Sequence, residues 1–225
     1  SEGKFCPKCN ERLVYDYYQY SHIGKFHCPN CGFASPKADV SLENIDLINQ
    51  TFTNERVKYK NPYEGMYSMY NAAAVMALAK YYHIDYSYVQ KVFESAPQPK
   101  GRNEKFNLNN QTCVLNLIKN PTGANEVMKV IEMDPSDKNI CIVLNDNDQD
   151  GTDVSWIYEK IVCSGLRAND MALRLYYGGF KGKILIETDL DAAVKSCMEK
   201  NIVTYCIATY TALLPTRNAI LKGMK

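Results

Sequence analysis

The chain has no apolar run long enough to span a bilayer, and its first residues lack the layout of a secretory leader. Neither membrane insertion nor export is expected of it. It also has almost no net charge: 26 Lys and Arg against 25 Asp and Glu leave +1. Composition therefore makes no electrostatic case for nucleic acid or an anionic membrane. A phosphate loop of the form G-x-x-x-x-G-K-[ST] is missing, so these residues alone are not expected to hydrolyse ATP. What is present is ordinary for a soluble globular protein: 46% apolar and 23% charged residues in 225, enough for one large domain or two modest ones. Seventeen tyrosines against seven phenylalanines is unusual and carries no functional implication of its own. The first residue is Ser1 and a metal-type motif follows at once, which suggests part of something longer.

Nine cysteines is an odd number, and four of them stand in two pairs, Cys6-Pro-Lys-Cys9 and Cys28-Pro-Asn-Cys31. That usage fits a reducing, cytosolic setting with metal-bound thiolates better than a disulfide framework. Two C-x-x-C knuckles at this spacing place four sulfurs around one zinc, with a β-hairpin expected between them over Arg12 to Phe26. Four protein ligands leave no open position, so the zinc is expected to be structural, and His27 is expected to flank a knuckle rather than bind the metal. Ribbons of this kind often serve nucleic-acid proteins. The rival reading is therefore a zinc-ribbon binding module, for which Lys4, Lys8, Arg12 and Lys25 with the ribbon's tyrosines give a weak basic and aromatic surface.

Residues 39–62 are polar with short alternating runs, and read as strands whose partners lie elsewhere. Gly65 to Tyr82 has helical periodicity, and a second helix is expected from Ile84-Asp85 to about Ser95, stopped by Pro97 and Pro99. Gly101-Arg102-Asn103-Glu104 reads as a loop. From Gln111 onward strands and helices alternate: strands at 112–118, 139–145, 161–163, 183–187 and 202–208, helices at about 122–133, 167–177, 189–200 and after 208. This implies an α/β fold with a mostly parallel sheet. Cys113, Cys141, Cys163, Cys197 and Cys206 sit in these apolar segments and read as core.

The stretch Asn145 to Glu159 holds four aspartates and the only tryptophan, directly after the apolar strand Ile140 to Leu144. Asp146, Asp148, Asp150 and Gly151 match the first half of a calcium loop. Position twelve, which should be a bidentate glutamate, is Ile157, and a strand rather than a helix precedes the loop. Calcium is therefore not expected. Asp153 stands where a helix would start, with Trp156 following.

Several stretches together resemble the Mur ligase family. GMYSMYNAAAVMALA (65–79) is similar to the family's N-x-x-N-A-x-A-A-like helix, and GRNE (101–104) to the loop closing the central ATP-binding domain. LIKNPTGANEV (117–127) stands where the C-terminal domain begins. With the inserted zinc ribbon, LNDNDQDGTDVSWIYE and SGLRANDMALRLYYGG, the likeness narrows to the MurT family, ligase subunits of lipid II isoglutaminyl synthase. The resemblance implies a zinc ribbon over 1–40 inserted in a central domain, the rest of that domain's C-terminal part over 41–110, and a Rossmann-like C-terminal domain over 111–225. It implies an ATP- and magnesium-dependent amidation of the D-glutamate α-carboxylate of lipid II, through an acyl phosphate, for peptidoglycan synthesis. The ammonia would come from a separate glutaminase subunit (GatD) in a heterodimer, in the bacterial cytoplasm at the inner face of the membrane. Asn71 would face adenine, Arg102 the phosphate–ribose region and Lys119 the interdomain ATP face, with the phosphate loop and magnesium ligands before Ser1. Leu117 stands where other Mur ligases carry an acid. The family's glutaminase is understood to borrow an aspartate from the ligase subunit, and Asp153 is the candidate, with Asp150 next.

Overall fold

The computed structural model describes residues 3–20, 23–145 and 160–224. The chain forms two compact units, one reaching Ala96 and the other starting at Pro97. No helix among the described residues is long and apolar enough to cross a membrane.

The first unit opens with the expected hairpin, β1 (Val14–Tyr20) against β2 (Ile23–His27), antiparallel. Three short strands follow: β3 (Glu43–Asp46), β4 (Thr51–Asn54) and β5 (Val57–Lys60). They pair with one another in a three-stranded antiparallel sheet, so the partners expected elsewhere lie within the stretch itself. The β4–β5 turn works because Glu55 and Arg56 both take positive φ, 49° and 69°, the geometry that matches strand twist in a two-residue hairpin. Helix α1 (Met66–Tyr81) presents Met69, Ala72, Met76 and Ala79 to this sheet's Phe52 and Tyr59. Helix α2 (Tyr86–Ser95) adds Val89 and Phe93 to the same core. Asp85 starts α2 by accepting the Ser87 backbone N–H at 2.7 Å, satisfying a donor the helix leaves free.

The second unit is a six-stranded sheet of order β10-β9-β8-β11-β7-β6. Its strands are β6 (Glu104–Leu108), β7 (Gln111–Leu117), β8 (Lys138–Val143), β9 (Lys160–Ser164), β10 (Lys183–Ile186) and β11 (Val203–Ala208). All neighbours are parallel except β6 and β7. Helices α3 (Pro121–Met133) and α4 (Ala168–Tyr177) cover one face through Val127, Ile131, Met171 and Leu175. Helices α5 (Leu190–Cys197) and α6 (Tyr210–Gly223) cover the other through Val194, Cys197, Ala219 and Ile220. Burial on both faces is why β8 and β11 read as continuous apolar runs rather than alternating ones. The five cysteines outside the knuckles are all buried here.

Residues 101–103 form the expected loop, and only its last residue departs from that reading. Glu104 begins a strand that joins the C-terminal sheet, and the compact units divide at Ala96, ahead of the boundary expected at Gln111. Its hairpin with β7 turns through Asn109 and Asn110, both at positive φ (52° and 60°). Asn tolerates that region better than most residues, so the Asn-Asn pair is the cue that marks this turn.

Candidate functional site

Among the described residues, two places concentrate chemistry. In the first unit, the four knuckle cysteines converge: their sulfurs all lie within 4.8 Å of one another, with Cys6 Sγ 3.5 Å from Cys31 and Cys9 Sγ 3.5 Å from Cys28. A tetrahedral ion with bonds of about 2.3 Å needs sulfurs roughly 3.8 Å apart, so the four fit a metal such as zinc. Each knuckle closes on itself. Asn10 N–H donates to Cys6 O at 2.8 Å and Gly32 N–H to Cys28 O at 3.1 Å, with Asn10 and Gly32 both at positive φ. Lys8 N–H also points at Cys6 Sγ, 3.4 Å away. The Phe33 backbone N–H lowers the Cys31 thiol, but desolvation and the Cys6, Cys9 and Cys28 thiols outweigh it and push Cys31 up to about 12. His27 is not among the converging groups; its Nδ1 lies 3.2 Å from Asp16 Oδ1.

The second place is the carboxyl edge of the parallel sheet, where ligands of open α/β folds bind at the reversal of strand order. Here β11 lies between β7 and β8, and α6, which follows β11, packs on the opposite face from α3, which follows β7. Asn145 holds this edge together. Its N–H donates to Thr209 Oγ1 at 3.0 Å, its Nδ2 to Thr211 Oγ1 at 3.0 Å, and its Oδ1 accepts the Leu166 N–H at 3.3 Å. One side chain thus ties the ends of β8, β9 and β11. Thr209, fully buried at the start of α6, serves this knot instead of capping its helix.

Lys119 is exposed just past the end of β7, before Asn120, whose side chain caps α3 through Gly123 N–H at 2.7 Å. Arg102 is exposed on the turn that enters β6, and Leu117 N–H donates to Gly101 O at 2.8 Å, which sets that turn beside the end of β7. Arg102 and Lys119 therefore share one edge of one unit. Asn71 is exposed on α1 of the other unit. Asp146, Asp148, Asp150 and Asp153 lie outside the described residues. Sequence reasoning missed Asn145, Thr209 and Glu104 as structural participants. A polar residue ending an apolar strand was the available signal for the first two.

The model of the family described as MurT ligase C-terminal matches residues 117–213, which include α3, the Asn145 knot and the SGLRAND loop. Residues 117–213 belong to the MurT ligase C-terminal family. Over 228 residues the chain is 32% identical to the "Lipid II isoglutaminyl synthase (glutamine-hydrolyzing) subunit MurT" of Staphylococcus aureus (strain COL), covering 96% of this chain and 52% of the relative. A relative of the same name from Streptococcus pneumoniae (strain ATCC BAA-255 / R6) is 30% identical over 237 residues, 98% of this chain and 53% of its own length. The chain thus spans about half the length of the MurT relatives it matches. In fold it is similar to a pseudomurein peptide ligase type C from Methanothermus fervidus. That match has a TM-score of 0.72 at 18% identity and covers 97% of this chain and 48% of the other. The UDP-N-acetylmuramate-alanine ligase MurC of Thermotoga maritima follows at a TM-score of 0.66 and 12% identity, covering 84% and 46%. The MurT likeness thus runs through both units, and the Mur ligase fold accompanies it.

Proposed function

We propose that the chain is the part of a lipid II isoglutaminyl synthase ligase subunit that holds a zinc ribbon, one side of the ATP site and the glutaminase-facing domain. The observation that carries this reading is the match to the two MurT relatives across 96% and 98% of the chain, through both units. In this reading the reaction converts the D-glutamate α-carboxylate of lipid II to the amide, with ATP and magnesium activating the carboxylate and glutamine supplying the nitrogen. Free ammonia is mostly protonated near neutral pH and is then no nucleophile, which favours making it beside its target in a complex with a glutaminase. Zinc is the ion assigned to the four cysteines, in a structural role.

Within that scheme Arg102 and Lys119 supply positive charge to the nucleotide from the carboxyl edge, and Asn71 is the residue proposed for adenine. Neither cation has to be buried to meet a phosphate, and both are exposed. Asp153, with Asp150 as runner-up, orients the glutaminase histidine. Support comes from Asn145, whose three hydrogen bonds fix the point where the chain leaves β8.

The test is reconstitution of the full-length subunit with its glutaminase on lipid II, glutamine and ATP, read by mass spectrometry. The expected product carries the mass change of a carboxyl becoming an amide; no amidation with both subunits folded would overturn the reading. In the same complex Asp153→Asn is expected to lower glutamine hydrolysis on the order of 10⁴-fold while the subunits still assemble, because a histidine without its carboxylate takes the wrong tautomer. Normal hydrolysis in Asp153→Asn with loss in Asp150→Asn would move the role to Asp150. Activity in both would remove this segment from catalysis. The nucleic-acid alternative predicts salt-dependent binding of a labelled oligonucleotide to the ribbon.

A further inference from the structure

The turn carrying Arg102 is determined far beyond what a loop between two elements requires. Gly101 and Asn103 are buried and both take positive φ, 70° and 53°. Around Arg102 the backbone polar groups are bonded one after another. Arg102 N–H donates to Pro99 O at 3.2 Å, its carbonyl accepts from Gln98 Nε2, and Asn103 N–H donates to the buried Asn116 Oδ1 at 2.8 Å. A side chain in place of Gly101 would meet Leu213 of α6, whose Cδ2 lies 2.7 Å from where its Cβ would stand. The Arg102 side chain is exposed.

One carboxylate closes this arrangement. Glu104 Oε2 accepts the Gly101 N–H at 2.9 Å, and its Oε1 accepts Arg217 Nε–H at 2.9 Å. The Glu104 side chain is 14% exposed and that of Arg217 29%, so the pair is only partly screened by water. Arg217 is itself held, with its guanidinium carbon 5.6 Å from the centroid of the Phe106 ring. Turn and helix α6 are thereby joined across 113 residues of chain.

We propose that Glu104 and Arg217 are a positioning pair that holds the 101–103 turn, and with it Arg102, in place to meet a nucleotide phosphate. This rests on the ATP reading given above and deepens it. An exposed arginine has many rotamers, and its fork grips an anion well only when its backbone is fixed. The β6–β7 ladder holds the strand whether or not the pair is present, so losing the pair should loosen the turn while leaving the sheet intact.

The test uses the full-length ligase subunit with its glutaminase, comparing Arg102→Ala, Glu104→Ala, Arg217→Met and Arg217→Lys by ATP KM, kcat and melting temperature. Arg102→Ala is expected to raise the KM for ATP about tenfold, as expected when a ground-state contact is removed. Glu104→Ala and Arg217→Met should raise it in the same direction, by about fivefold, with kcat falling less than KM rises. Arg217→Lys keeps the charge and one donor, and should recover part of that loss; it also serves if Arg217→Met fails to fold. A merely structural pair would lower the melting temperature and the amount of active enzyme with KM unchanged, and that result overturns the proposal. The two levels separate cleanly. If Arg102→Ala leaves the KM for ATP unchanged, the nucleotide reading of Arg102 fails and the pair's role with it. If Arg102→Ala raises KM and Arg217→Met does not, only the positioning role fails.

Discussion

Cys28→Ser is expected to strip the protein of one zinc ion per chain and unfold the ribbon, leaving the C-terminal unit folded. The ribbon has little else to hold it. Its core is Cys6, Leu13 and Cys28 with Cys9, Tyr15, Phe26 and Phe33 packed around them, and three of those seven are knuckle cysteines. A cluster that small cannot offset the entropy of ordering its hairpin, which is why domains of this size depend on a metal. Structural zinc in such sites supplies about 10–16 kcal/mol of folding free energy in isolated fingers. The C-terminal unit has two extensive clusters of its own, one on each face of its sheet, and does not need that contribution. The measurements are metal content by mass spectrometry and the near-ultraviolet dichroism of Tyr15, Tyr17 and Tyr18. A chelator should reproduce the variant's spectrum. Retention of stoichiometric zinc by Cys28→Ser, or none in the unaltered protein, would refute the assignment.

The second large effect is expected at Gly165, where a single methyl group should destabilise the C-terminal unit. Gly165 turns the chain from β9 toward α4 at φ +83°, and an added Cβ would stand 2.5 Å from Leu144 O and 3.0 Å from Leu144 N. Neither atom can yield easily. Leu144 N–H donates to Ser164 O at 3.0 Å, and Leu144 O accepts from Arg167 N–H at 3.0 Å. Gly165→Ala therefore combines a left-handed backbone with a clash against hydrogen-bonded main chain. We expect a cost of about 3 kcal/mol and a melting temperature lower by roughly 10 °C. Gly179 makes the control. It also has positive φ, 87°, but no atom lies within 4 Å of where its Cβ would be. Gly179→Ala should cost only the backbone strain, about 1 kcal/mol. Equal melting temperatures for the two variants would show that Leu144 moves aside without cost.

Both expectations start from residues whose meaning differs in kind. The C-x-x-C knuckles were readable because they are local: Pro-Lys and Pro-Asn between the cysteines already specify turns, and the four thiols converge as a group that could hold a metal ion. Helix α2 was readable through Asp85 and its stop at the prolines, and α3 through Asn120 and Pro121, for the same reason. Strand β6 was not. Its half-buried positions, Glu104 and Phe106, alternate with exposed Lys105 and Asn107, but one of the two is charged, so no apolar alternation shows in the sequence, and its assignment depends on β7 sitting beside it. The grouping of β3, β4 and β5 into one sheet likewise came from pairing rather than pattern.

The site divides in the same way. Arg102 and Lys119 could be singled out by likeness to a family, but that they stand on one edge follows from Leu117 N–H bonding to Gly101 O across the β6–β7 pair. Glu104 gave no sequence signal for its role. Its partner Arg217 lies on the last helix, and only the packing of α6 brings the two together. Asn145 is similar: its backbone N–H and side-chain amide together reach Leu166, Thr209 and Thr211, all far from it in the chain. The sequence alone thus determined what is encoded over a few residues: the metal knuckles, the caps and the alternation that implies a parallel sheet. Tertiary structure decided which distant polar groups meet, because a buried donor takes whichever acceptor the packing of the sheet and its helices sets within reach.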